Sequence, residues 1–280
     1  MNNVNYNSFG ISVITVTLNN KIQLRNTINS VQSFIQNNQN VQIEHVIIDG
    51  NSMDGTKDFL INQKFPYMFS ISENDKGIYE AMNKGVKIAR FDYVVFINAG
   101  DSIELITLEN SLVQLFKNGT TEDRLAGFAF SVIYKLGISV RKVTARQVER
   151  SNPKMPGIHQ GMLYKRNRLL DMPFDESFEI CGDYEQYARM FSYGYHFTPI
   201  DEFFSTLYAG GISTKKPYKL YLESSYVTNK YFNLGSLYNL KSKMKLLMAL
   251  TSVQLILLYS NIFSSINLFL NKNMHQNDYD

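Results

Sequence analysis

Four apolar runs, each closing on an acidic or amide side chain and each followed by a segment of different pattern, constrain this chain more than any other feature. ISVITVTLN (11–19) is rich in β-branched residues, which suits a strand covered on both faces, and Leu24, Ile28, Val31 and Ile35 then recur at the spacing of one helix face. IEHVIIDG (43–50) repeats the strand signature and ends in Asp49-Gly50, ahead of the turn chemistry of NSMDGTKDFL. FSISE (69–73) reads as a shorter strand, followed by a turn at Gly77 and a helix over 78–89. FDYVVFINAGD (91–101) is a fourth strand that breaks at Asn98-Ala99-Gly100-Asp101. Strands separated by helix-length crossovers predict an α/β fold with a mostly parallel, twisted central sheet. Ligands bind such sheets beyond the carboxyl ends of the strands. Asn19, Asp49, Glu73, Asp75, Asn98 and Asp101 all stand at or just past such ends, and are expected to converge on one crevice.

The second half is mixed. Residues 128–134 and 139–143 read as two antiparallel strands with Gly137 in their turn; HQGMLYKRNRLL begins as a strand and becomes a helix; 182–193 reads as a helix with Tyr184, Tyr187, Ala188 and Phe191 on one side. The span 218–245 has a helical pattern with scattered lysines, and 246–270 contains no charged residue. With 280 residues, 44% of them hydrophobic, and 19 Phe and 18 Tyr, the chain can build one large domain around an enclosed site, with an appendage. A formal charge of +3 is too small for a dedicated nucleic-acid binder, whose affinity rests on many cationic contacts to phosphate. The single cysteine, Cys181, permits neither an intramolecular disulfide nor a multi-thiolate zinc site and reads as a packed thiol. MNNVNYNSFG has no basic segment followed by an apolar one, so the expected location is cytoplasmic.

The run ISENDKGIYEAMNKGVKIARFDYVVFINAGD, with IIDGNSMDGT upstream, resembles the family 2 glycosyltransferases, inverting enzymes with the nucleotide-diphosphosugar-binding GT-A fold. Within them it looks like the branch that builds bacterial capsule, O-antigen or exopolysaccharide units. The resemblance covers roughly 10–215, implying a GT-A domain over 1–215 and a helical C-terminal extension over 216–280. It implies that Thr17, Asn19 and Asp49 hold the nucleoside. An aspartate can accept the N3 hydrogen of uracil, so Asp49 favours a UDP-sugar. The family more often carries Asp-Asp where this chain has Asp49-Gly50. Asp75 and Asn83 match positions on the ribose and diphosphate side, flanked by Glu73 and Glu80, with Lys84 an optional added charge. The helix after Gly77 would direct backbone N–H groups at phosphate oxygens.

Asn98-Ala99-Gly100-Asp101 stands where the family carries its Asp-x-Asp motif. The resemblance therefore implies a divalent cation, Mg²⁺ or Mn²⁺, with Asp101 as its carboxylate, Asn98 on the nucleotide sugar, and the diphosphate supplying further oxygens. Asp183 in GDYEQYARM matches the catalytic base that takes the acceptor proton, with Glu185 as the near alternative. His159 and Gln160 match a His-Gln segment that positions the acceptor. The loop Gly210-Gly211-Ile212-Ser213 resembles one that closes over the donor. Asp54 reads as a helix cap, and His45 and His196 as structural residues in apolar surroundings. The implied reaction transfers a sugar from a nucleotide-diphosphosugar to a lipid-linked saccharide acceptor in surface polysaccharide assembly. A catalytically silent scaffold that binds nucleotide sugars is the alternative. Lys241, Lys243, Lys245 and Lys272 bracket the uncharged stretch, an arrangement suited to peripheral contact of the C-terminal helices with the inner face of the membrane.

Overall fold

A computed structural model describes residues 9–104, 106–108, 110–149 and 154–232. The chain divides into two compact units, Met1–Phe232 and Asn233–Asp280. The second lies outside the described residues, and with it the uncharged stretch and its flanking lysines.

The first half runs β1 (Gly10–Thr17), α1 (Lys21–Asn37), β2 (Gln42–Asp49), α2 (Thr56–Ile61), β3 (Met68–Ser72), α3 (Ile78–Ile88), β4 (Tyr93–Phe96), β5 (Ser102–Ile103) and α4 (Asn110–Thr120). The second half runs β6 (Leu125–Leu136), β7 (Ser139–Val143), β8 (Met162–Lys165), α5 (Arg166–Asp171), α6 (Gly182–Ser192), β9 (His196–Tyr208), α7 (Ile212–Lys215) and α8 (Pro217–Phe232), with a 3-10 turn at His159–Gly161 before β8. Among the described residues the strands form one sheet in the order β3-β2-β1-β4-β8-β6-β9-β5, with β7 added to β6. From β3 to β4 every pairing is parallel, as the repeated strand-helix pattern predicts. Beyond β4 the sheet is mixed: β8 is antiparallel to both its neighbours, whereas β9 runs parallel to β6.

β1 is buried along its whole length and sends apolar side chains to both faces of the sheet. Ile14 and Val16 pack into one core, with Tyr79, Met82 and Val86 of α3, while Ile11 and Val13 pack into another, with Val31 and Phe34 of α1. Glycine allows the closest approaches. A Cβ on Gly85 would stand 2.6 Å from Ile14 Cγ2, and one on Gly127 would stand 2.1 Å from the Leu163 carbonyl oxygen. A side chain at either position would force α3 off the sheet or part β6 from β8.

The expected hairpin is present as β6 and β7, joined through Gly137 at φ 56°, a left-handed conformation that glycine adopts without strain. Beside the short β5 and α7, two longer elements were not anticipated. α4 contains a glycine, and β9 contains Pro199 and the acidic pair Asp201-Glu202, which mask a strand whose pairing with β6 shifts register near Phe203. His45 is buried beside Thr15 and kept neutral by burial, its pKa lowered to about 3, in accord with a structural role. His196 departs from expectation: it is exposed and pairs with Glu122 at 3.2 Å. It occupies the first position of β9, where the strand has only begun to enter the sheet.

α8 belongs to the first compact unit. Glu223 accepts the N–H groups of Glu179, Ile180 and Cys181 at 3.1, 2.9 and 2.8 Å, and Tyr184 meets Thr228 at 3.1 Å. One carboxylate on α8 thus fixes the backbone that leads into α6.

Candidate active site

The end of β2 is an enclosed polar knot. Asp49 is fully buried, and its carboxylate accepts the Ser52 N–H at 3.1 Å, the Ser52 hydroxyl, and the Ser72 hydroxyl at 2.6 Å. It closes the turn after β2 and joins it to β3, rather than facing a crevice. Asn19 lies at φ 50° and is exposed; its N–H donates to Ser52 Oγ, and its Oδ1 accepts the Met53 N–H, both at 2.7 Å. Ser52 therefore brings Asn19 and Asp49 together. Thr17 stands at the end of β1 with its hydroxyl buried and unpartnered. Asp54 acts as expected of a cap, accepting the first N–H groups of α1 and α2 from Lys21 and Thr56 at 2.9 and 3.1 Å.

Gly50 explains the absent second acid. A Cβ there would stand 2.6 Å from Asp75 Oδ2, so the Asp75 carboxylate occupies the space a side chain at 50 would need. Burial raises the pKa of Asp75; Lys84 opposes this, Glu80 adds to the rise, the Gly77 N–H lowers it and Asp49 raises it. Lys84 ties the approach to α3 together, meeting Glu73 at 3.0 Å, Glu80 at 3.2 Å and the Asn74 carbonyl at 2.8 Å. Nothing lies within 4 Å of a Cβ built on Gly77, so the start of α3 borders open space. Asn83 is turned elsewhere. It is buried and its amide clamps a distant loop, donating to the Phe174 carbonyl at 2.9 Å and to Glu176 at 3.0 Å while accepting the Phe174 N–H at 2.9 Å.

The tetrad after β4 is strapped to α1. The Thr27 hydroxyl donates to the Asp101 carbonyl at 2.7 Å and accepts the Gly100 N–H at 3.0 Å; Gly100 itself sits at φ 111°. The Asp101 carboxylate accepts the Gln160 amide at 2.9 Å and the Tyr208 N–H at 3.2 Å. Burial nevertheless pushes its pKa up to about 6. The Asn98 side-chain oxygen is buried without a partner. These are hard oxygen donors of the kind Mg²⁺ and Mn²⁺ accept. Among the described residues no three acidic, histidine or cysteine side chains cluster as a ligand set. Asp101 is a single, largely buried carboxylate, so a cation there would take most of its oxygens from a bound ligand.

Asp183 is the second residue of α6 and accepts its neighbour's N–H, from Tyr184, at 2.8 Å. Tyr79 of α3 lies beside it: its hydroxyl donates to the Ile180 carbonyl at 2.6 Å and stands 3.4 Å from Asp183 Oδ1. Gly182 makes this possible, since a Cβ there would stand 2.7 Å from the Tyr79 ring. Glu185 is buried and engaged by Arg189 at 3.0 Å and by the Tyr231 hydroxyl, which removes it from the position of a base. His159 is buried, stacked on Phe96 with ring centroids 4.9 Å apart, and 3.4 Å from the Tyr164 hydroxyl; its Nε2 has no partner. Burial lowers its pKa and the charge of Asp183 opposes that. Gln160 thus meets Asp101, while the neighbouring His159 packs on Phe174, which packs on the Tyr79 ring beside Asp183. Burial raises Cys181 to about 12, as befits a packed thiol.

Sequence reasoning missed Tyr79, Ser52, Ser72 and Glu223. Tyr79 had a signal: it stands four residues before Asn83, on the helix face that turns toward the second half of the chain. The others had none, because serines near strand ends and a glutamate on a polar helix are ordinary there.

Residues 12–123 match the family described as "Glycosyl transferase family 2". An uncharacterized glycosyltransferase of Mycobacterium tuberculosis (strain ATCC 25618 / H37Rv) is 34% identical over 91 residues, 32% of this chain and 34% of that protein, so the match spans about a third of the relative's length. Among solved structures, S. aureus TarS 1-349 in complex with UDP-GlcNAc is 16% identical with a TM-score of 0.51, over 80% of this chain and 67% of that one. The mannosyltransferase PcManGT from Pyrobaculum calidifontis, in complex with GDP-Man and Mn²⁺, is 15% identical with a TM-score of 0.55, over 82% and 66%. The described unit has the GT-A fold of glycosyltransferases, and its segment 12–123 carries the glycosyl transferase family 2 signature.

Proposed function

We propose that this chain is an inverting glycosyltransferase that moves one sugar from a nucleotide-diphosphosugar to a hydroxyl of a lipid-linked saccharide in surface polysaccharide assembly. The observation that carries the reading is the His159-Gln160 pair: Gln160 holds Asp101, and the His159 ring meets Phe174, which meets Tyr79, whose hydroxyl lies 3.4 Å from Asp183. This run of contacts supports a joint role for two carboxylates that no sequence proximity joins, Asp101 at the leaving group and Asp183 at the acceptor. The likeness to TarS, whose structure contains UDP-GlcNAc, supports a UDP-sugar; the likeness to PcManGT, with GDP-Man and Mn²⁺, supports the divalent cation.

In this reading Asp183 accepts the proton of the acceptor hydroxyl as its oxygen attacks the anomeric carbon from the face opposite the leaving group. The new C–O bond forms while the bond from the anomeric carbon to the phosphate oxygen breaks, and its electron pair departs with the nucleoside diphosphate. A divalent cation, when bound at Asp101, offsets the charge that develops on the diphosphate. N–H groups in the first turn of α3 and the strand-end residues Thr17, Asn19 and Asn98 border the donor. Asp49 and Asn83 shape that border from within, and Asp75 fills the space beside Gly50. His159 and Gln160 line the passage between donor and acceptor.

The test is incubation with UDP- and GDP-sugars, Mn²⁺ and a bacterial lipid extract, following nucleoside diphosphate release and the mass of glycolipid products. Release coupled to a new glycolipid supports transfer. Donor binding without release, in every acceptor mixture, favours the catalytically silent scaffold, a reading kept in view by Gly50 and Asn98 standing where acids are usual. Among the described residues no helix is long and apolar enough to cross a membrane. The proposed location is the inner face of the cell membrane, by peripheral contact.

A further inference from the structure

The β6–β7 hairpin ends in an exposed apolar tip inside a cationic, acid-free stretch. Leu136 and Val140 are each 60% exposed and Ile138 is wholly exposed, three large aliphatic side chains within five residues. Scattered single apolar residues are ordinary on a surface, but a projecting cluster is not. From Leu125 to Val148 the sequence holds no Asp or Glu, yet it holds Lys135, Arg141, Lys142 and Arg146. None of these four makes an ion pair among the described residues; Lys135 and Lys142 rest instead on the rings of Tyr208 and Phe203, at 5.5 and 5.0 Å. Gly137 folds the turn tightly enough for Leu136 to pair with Ser139.

We infer that this hairpin is a membrane-surface anchor, its tip entering the interface of an anionic phospholipid bilayer while Lys135, Arg141 and Lys142 meet the headgroups. Charge complementarity selects the partner: unpaired cations around a short aliphatic tip match anionic headgroups above an acyl boundary. The half-exposed Tyr208 beside Lys135 adds an aromatic ring of the kind that favours that depth. The hairpin also stands next to the chemistry. Tyr208 gives its N–H to Asp101, and the next residue, Ala209, gives its N–H to the Lys135 carbonyl at 2.8 Å. A tip seated on the bilayer would hold the Asp101 end of the site one strand away from the lipid surface. This inference concerns lipid binding alone and stands or falls independently of sugar transfer.

The direct test places a polarity-sensitive fluorophore on Ile138→Cys in the full chain, since buried Cys181 does not compete for the label. Vesicles of phosphatidylglycerol and phosphatidylcholine are expected to shift its emission to the blue, and pure phosphatidylcholine vesicles are not. In sedimentation with the anionic vesicles, Ile138→Asp is expected to weaken binding about tenfold. The pair Arg141→Glu and Lys142→Glu is expected to weaken it at least as much, at about fivefold for each cation removed. All these substitutions lie on exposed positions, and a melting curve checks that the fold persists. A label that stays in a water-like environment while the protein pellets with vesicles would overturn the inference, as would unchanged binding by folded Ile138→Asp.

Discussion

Gln160 places its amide nitrogen 2.9 Å from Asp101 Oδ2, holding a carboxylate that burial has raised to about 6. The hydrogen bond favours the ionised form, which is the form a cation binds. Gln160→Ala is therefore expected to raise the Asp101 pKa further. Metal-dependent donor binding should weaken several-fold near pH 6.5 and recover as the pH rises. Titration calorimetry with donor and Mn²⁺ at several pH values checks this; an unshifted acidic limb would detach Gln160 from Asp101.

The same carboxylate works against the fold. Its folded-state pKa of about 6 exceeds the ordinary 3.8, so between these values the native state binds the proton more tightly than the unfolded chain, and stability falls as pH rises through that window. Asp101→Asn is expected to stabilise the protein by about 1–2 kcal/mol at pH 7, discounted for partial exposure, while metal-dependent donor binding is lost. Denaturant unfolding at pH 4 and 7 measures it. The gain should be present at the higher pH and nearly absent at the lower.

Asn83 offers the opposite balance. Its two buried hydrogen bonds to Phe174 and a partly buried one to Glu176 make Asn83→Ala destabilising by about 2–3 kcal/mol, with the donor Kd of the folded fraction little changed. A stable variant with weakened donor binding would return Asn83 to the donor itself.

What could be read from the sequence divides along physical lines. The parallel run β3-β2-β1-β4 was legible because each strand is apolar on both faces and each crossover carries helical periodicity or turn chemistry. β9 was not, since Pro199 and two acids interrupt its pattern and its partner strand lies some seventy residues away. In the candidate site, Asp101 and Asp183 were named from motif order alone. Whether a polar side chain at a strand end faces the crevice depends on its neighbours, and Ser52 and Ser72 turn Asp49 inward while the loop at Phe174 captures Asn83. Both serines were in view in the sequence, but nothing in their spacing says which carboxylate they meet.

Tyr79 links α3 to the segment that carries Asp183. Tyr79→Phe removes the hydrogen bond to the Ile180 carbonyl and leaves the ring against Gly182. The expected result is a kcat lowered about tenfold with an unchanged donor KM, because the start of α6 loses its fixed position while the donor border is intact. A change confined to KM would place Tyr79 on the donor instead.

The most direct measurement for the whole account compares wild type with Asp183→Asn, reading donor affinity, transfer rate and the anomeric configuration of the product. The expected result is a product of inverted configuration, donor affinity preserved in the variant, and transfer reduced by about 10²–10⁴. A folded Asp183→Asn protein that transfers at close to the wild-type rate, or a product that retains the donor's configuration, would contradict it.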